Sequence, residues 1–112
     1  MFKLRNNAIN YISRRSGCIT LDMQLEPAMG GWASCAKHVT GSYVPRVFIG
    51  EPVERDRYLT AEMDGIKIFY HPSVQIKAGF SEIQIKVRRF LFLAWLEIEG
   101  AKAIPVYSEW KD

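Results

Sequence analysis

The chain has little of the chemistry that usually marks an enzyme or a metal protein. Its 112 residues include two cysteines and two histidines. That is too few cysteines for a disulfide-built scaffold, and a chain of this length can bury roughly two-thirds of its unfolded surface in one core without such help. No glycine-rich phosphate loop is present, and the isolated Gly30-Gly31 pair reads as a turn. Ser34 and His38 share a loop, but no nucleophile-elbow motif surrounds them. No catalytic residue is assigned, and whether the chain is an enzyme stays open, with the missing motifs weighing against it.

Two further absences bear on location and partners. The N-terminus, Met1-Phe2-Lys3-Leu4-Arg5-Asn6, lacks the apolar core of a secretory signal. The longest apolar stretch, Phe90 to Leu96, is far shorter than the ~20 residues of a membrane span. A cytoplasmic protein with no membrane partner is expected, and in that compartment Cys18 and Cys35 stay reduced. The formal charge is only +3, at a pI of about 9.0. Its densest basic pairs, Arg14-Arg15 and Arg88-Arg89, stand far apart in the chain. Nucleic-acid binders cluster such residues on one face, so no nucleic-acid partner is expected.

What is present is an ordinary globular composition, 48% hydrophobic and 24% charged. One domain over residues 1–112 follows from the length. Leu4, Ala8, Tyr11, Ile12 and Arg15 fall at helical spacing, and Gly17 then caps an amphipathic helix over Leu4–Arg15. Cys18 to Leu25 alternates, with Ile19, Leu21, Met23 and Leu25 on one face and Cys18, Thr20, Asp22 and Gln24 on the other. That period predicts a half-buried strand, broken at Glu26-Pro27. Tyr43–Ile49 reads as a second strand, which Pro45 restricts to an edge or a bulge. Asp64-Gly65 is a turn signal before a strand at Ile66–Tyr70, which His71-Pro72 stops. Phe80 to Val87 alternates again. The run Phe90–Leu96 fits a strand buried on both sides or a short buried helix, with Trp95 in the core. The tail from Ala101 adds a last edge strand or wraps the core. The fold class is α+β: one N-terminal helix on a curved, mostly antiparallel sheet, a half-barrel or sandwich.

The one segment with reactive potential is the loop Gly30-Gly31-Trp32-Ala33-Ser34-Cys35-Ala36-Lys37-His38. Cys35 and His38 stand in C-x-x-H spacing, and thiolate with imidazole suits soft or borderline metals. Lys37 and His38 place positive charge near Cys35, which favours its thiolate. A small packed cysteine is the bland alternative. C-x-x-H is only half of a zinc signature, and the remaining donors, Cys18 and His71, have no evident route to it. A homodimer would double each ligand. Trp32 is the loop's candidate contact residue for a protein partner.

The order of elements resembles a known family. A leading helix precedes a strand that ends in the small-residue cysteine loop. Then come Val47-Phe48-Ile49-Gly50-Glu51-Pro52, the strand Asp64 to Tyr70, and an apolar segment from Phe90 closed by Gly100. This is similar to the HesB-like proteins, the superfamily of A-type iron–sulfur carriers. It is most similar to the short branch whose loop carries a paired cysteine or selenocysteine. The resemblance runs over roughly residues 4 to 100. It implies a HesB-like fold with a remnant or modified thiol site, short of full cluster-carrier function, at which Cys35 would bind a single metal ion or an iron–sulfur cluster, or do thiol redox chemistry. Two departures qualify that. The carriers add a Cys-x-Cys pair near the C-terminus, and residues 100–112 here hold no cysteine. The loop pair reads Ser34-Cys35, one hydroxyl and one thiol. The implied site is Cys35, with His38 and Cys18 as further donors and Ser34, Lys37 and Trp32 in support. The rival reading is a non-catalytic interaction module on the same fold.

The charge distribution generates a first prediction. Any association with nucleic acid rests on counterion release and disappears as salt is raised. A binding titration at several salt concentrations should show no sequence-selective complex at physiological ionic strength.

Overall fold

A computed structural model describes residues 1–27 and 37–109. Trp32, Ser34, Cys35 and Trp110 lie outside them. The chain opens with a short strand, β1 (Phe2–Leu4), and then one helix, α1 (Asn6–Ser13). The helix is shorter at its start than the apolar spacing predicts. Phe2 to Leu4 pair in parallel with residues 83–85, and the Arg5 amide donates to the Ile85 carbonyl at 3.0 Å. Leu4 is buried, but from a strand. Ala8 and Ile12 are the buried helix face, as the spacing predicts. Gly17, at φ +74, turns the chain and donates its amide to the Ile12 carbonyl at 3.0 Å.

Six further strands hold most of the rest: β2 (Cys18–Pro27), β3 (Lys37–Ile49), β4 (Leu59–Met63), β5 (Ile66–Tyr70), β6 (Ile83–Phe90) and β7 (Leu93–Glu99). An edge strand, β8 (Ile104–Glu109), follows them. A single 3-10 turn, Arg55–Arg57, precedes β4. One sheet has the order β4-β5-β2-β3-β8 and the other β1-β6-β7. Only β1–β6 and β2–β5 are parallel; the other four ladders are antiparallel. Together they form a curled half-barrel, an α+β fold.

The core is one cluster built from both sheets and the helix. Ile19 and Leu21 of β2, Ile66 and Ile68 of β5, Ile83 and Ile85 of β6, and Ala8 and Ile12 of α1 close on one another. The β2 alternation holds as far as Met23, with Ile19, Leu21 and Met23 buried; beyond it Leu25, expected on the buried face, is exposed like Gln24, because the core ends there. Its opposite face is less polar in practice than the alternation suggests, because Cys18 and Thr20 are buried as well. The strand also runs through Pro27 rather than breaking there. β5 pairs with Cys18–Leu21 only, so one side of β2 is open beyond Leu21 and a proline costs no ladder bond on that side. Pro45 obeys the same rule. β3 pairs with β2 along Pro45, but its β8 ladder stops at Tyr43. Asp64 (φ +52) and Gly65 (φ +79) make the hairpin turn that the sequence signals.

The run Phe90–Leu96 departs from expectation. It is neither a doubly buried strand nor a helix. The register pairs Phe90 with Leu93, so Leu91 and Phe92 form a two-residue hairpin loop at the tip of β6 and β7. Phe92 is fully exposed, Leu91 is 81% exposed, and Trp95 at 44% is not a core residue. Leu91 has φ +53, a left-handed conformation that costs a residue with a Cβ roughly 1–2 kcal/mol. No helix among the described residues is long and apolar enough to cross a membrane.

The packing sets two expected stabilities, both readable by urea unfolding. Leu21→Ala removes a fully buried side chain from the centre of the core and should cost about 2–5 kcal/mol. Gly100→Ala combines φ +88 with a Cβ built 2.6 Å from the Glu82 carbonyl oxygen, and should cost about 1–3 kcal/mol or more.

Candidate functional site

The predicted loop joins β2 to β3. Pro27 pairs with Gly41, the last rung of that ladder. Beyond it β3 continues back to Lys37, where it pairs with β8: Lys37 opposite Glu109 and His38 opposite Ser108. The register shifts between Val39 and Gly41. Two candidate positions, Lys37 and His38, are thus on the backbone of a strand that leads out of the loop. Both lie at the far end of β3 from Ile49, whose partner Ile19 neighbours Cys18. Thirteen residues of strand separate those ends, about 40 Å at a rise of 3.3 Å per residue.

Cys18 therefore sits at the opposite end of the hairpin from Lys37 and His38. It is a free cysteine, 9% exposed, and its nearest polar partner is the Ser16 hydroxyl at 3.7 Å from the sulfur. The same hydroxyl donates to the Cys18 carbonyl at 3.0 Å. This thiol is walled into the start of β2. His71 is equally accounted for. Its Nδ1 accepts from the Ser73 amide at 3.0 Å, its own amide donates to the Leu21 carbonyl at 2.9 Å, and its ring meets Tyr58 edge-on at 6.1 Å. It is the turn residue that its place before Pro72 suggests. Among the described residues, no three of His, Cys, Asp and Glu gather as a metal site would require. These residues by themselves do not fit a metal ion or a cluster.

A hollow of mixed polar and apolar lining that sequence reasoning missed lies on the outer face of β2. About 400 Å³ in volume, it is bounded by Thr20, Asp22, Gly50, Glu51, Glu54 and Tyr58, among others. Thr20 donates its hydroxyl to the Gly50 carbonyl at 2.8 Å. Glu51 and Glu54 are neutralised by Arg55 and Arg57. Asp22 accepts from the Met23 amide at 2.8 Å, and its carboxylate neighbours Tyr58. Partial burial, and then the neighbouring Asp22 carboxylate, push the Tyr58 hydroxyl above its ordinary pKa. The one sequence signal for this pair was an aspartate in mid-strand, a residue depleted there.

The chain matches the model of the CC/Se motif containing family over residues 1–101, and it belongs to that family. No curated protein and no solved structure matches it. The matched span includes the loop and both cysteines. Yet the chain has no two adjacent cysteines; Cys35 is preceded by Ser34.

Tyr58 supplies a pH prediction. Its folded-state pKa is raised, so above the ordinary value of 10.0 the unfolded chain loses this proton first. Stability falls as pH rises through that window. Asp22→Asn removes one of the causes. A tyrosinate absorbance titration, differenced against Tyr58→Phe, should show Tyr58 ionising at lower pH in the Asn variant.

Proposed function

We propose that this chain is a single-thiol, HesB-like member of its family, acting in the cytoplasm, with Cys35 as its working group. What carries the reading is the family membership set beside the cysteine inventory. The family is described by a CC/Se motif, and the chain holds two cysteines. One of them, Cys18, is buried against Ser16 at the start of β2. Cys35 is the thiol left for such a motif, and Ser34 takes the place of a second one. Lys37 and His38 follow it two and three positions on, and nearby positive charge stabilises a thiolate.

The chemistry is binding of a metal ion or an iron–sulfur species through that thiolate, or thiol redox. One thiolate and one imidazole in C-x-x-H spacing leave a four-donor shell incomplete. A second copy of the chain would complete it by symmetry. Ser34 would donate a hydrogen bond to the sulfur. The rival, an interaction module on the same fold, draws on one specific observation: the exposed apolar tip of the β6–β7 hairpin.

Anaerobic purification followed by metal and sulfide analysis separates the readings. Wild-type and Cys18→Ala protein should carry the same metal or sulfide content, and Cys35→Ala should lose it. In native protein Cys35 should alkylate with an apparent pKa below the ~8.5 of a free thiol, and Cys18 far more slowly. An inert Cys35 whose replacement alters neither readout would assign the family fold here to interaction alone.

A further inference from the structure

The β6–β7 tip is left unused by any thiol chemistry. Successive side chains of a strand point to opposite faces. Phe90 and Leu93, paired across the two strands, share one face, Leu91 and Phe92 form the end, and all four are exposed, so one face of this ribbon and its end are apolar. Contiguous apolar surface of that kind marks an interaction site. The occupant has to take up that face together with the projecting end.

The base of the hairpin says what that occupant carries. Arg14 and Arg15, just past α1, line one hollow together with Arg89 of β6. Arg15 is fixed there, its guanidinium 3.4 Å from the Tyr11 ring centroid and donating to the Tyr11 carbonyl at 2.9 Å. Tyr11 in turn donates to the Ala94 carbonyl at 3.2 Å, which ties the helix end to the hairpin. Arg88 is paired with Glu97. Among the described residues, no carboxylate forms a salt bridge with Arg14, Arg15 or Arg89. The fold thus brings Arg89 beside the Arg14-Arg15 pair, from which the sequence keeps it far apart. Docking this end on a second copy would bring like charges together. An anionic bilayer offers acyl chains around the tip and phosphates to the guanidinium groups behind it. Trp95, half-exposed behind the tip, would lie at the headgroup level where tryptophan is favoured. Leu91 is consistent with such a role, since a strained apolar residue stands where glycine would relax the turn.

We infer that the β6–β7 hairpin docks this protein on the surface of an anionic membrane, with Phe90–Leu93 inserted and Arg14, Arg15 and Arg89 on the headgroups. This is attachment to one leaflet, not passage across the bilayer, and it is independent of Cys35.

Co-sedimentation of the full chain with vesicles tests it. The protein should bind phosphatidylcholine vesicles containing phosphatidylserine and not phosphatidylcholine alone, and added salt should weaken binding. Arg14→Gln and Arg89→Gln should each weaken it about fivefold. Leu91→Gly should keep or raise thermal stability, by relaxing φ, and combined with Phe92→Ser should weaken binding about tenfold or more. Cys35→Ala should bind as wild type does. Failure to bind the anionic vesicles would overturn the inference, as would binding unchanged in the tip variant. So would a solution dimer that the tip variant turns into monomer, because the tip would then belong to a second copy.

Discussion

The structure hangs on β2. It is the strand that pairs in parallel with β5 on one side and antiparallel with β3 on the other, and its Ile19 and Leu21 are fully buried. Through those side chains the five-stranded sheet meets α1 and β6, and so the second sheet. The helix could not hold its place alone. Eight residues is below the length at which an isolated helix is stable, and Arg5 provides no side-chain cap. It persists because Ala8 and Ile12 have somewhere apolar to go.

The same strand separates what each end of the molecule does. Its first residue, Cys18, is enclosed by the core end of the hairpin, and its last, Pro27, leads to the cysteine loop. A long two-stranded ladder between them keeps the loop's exit strand about 40 Å of backbone away from the buried thiol. That geometry sets Cys18, a small packing group, far along the ladder from Lys37 and His38. The apolar hairpin, placed on the other sheet, is a separate device with its own chemistry.

The alternating segments were legible because one face of each is buried. Ile83, Ile85 and Val87 line the core at a period of two, as written in the chain. The Asp64-Gly65 turn was equally plain, since those residues tolerate positive φ. The hairpin at Leu91-Phe92 was not. It is a turn made without any turn residue, inside a run whose hydrophobicity argued for burial. Leu4 misled for a related reason: it fits a helical stripe, and ladder bonds to β6 claim it instead. At the candidate site, order and composition single out the segment that holds Cys35. The separation of Cys18 from Lys37 and His38, and the pairing of Asp22 with Tyr58, could not.

Sequence alone determined the α+β class, most strand positions, the helix α1, and the place of Cys35 between the β2 and β3 segments. Those follow from local periodicity and from residues with restricted backbones, which act whatever surrounds them. Tertiary structure alone decided which apolar residues are buried, which arginines share a surface, and that Cys18 is enclosed. Burial and proximity depend on strand register between segments distant in the chain. A run such as Phe90–Leu93 has the same hydrophobicity at a hairpin tip as in a core, and only the pairing of Phe90 with Leu93 places it in solvent.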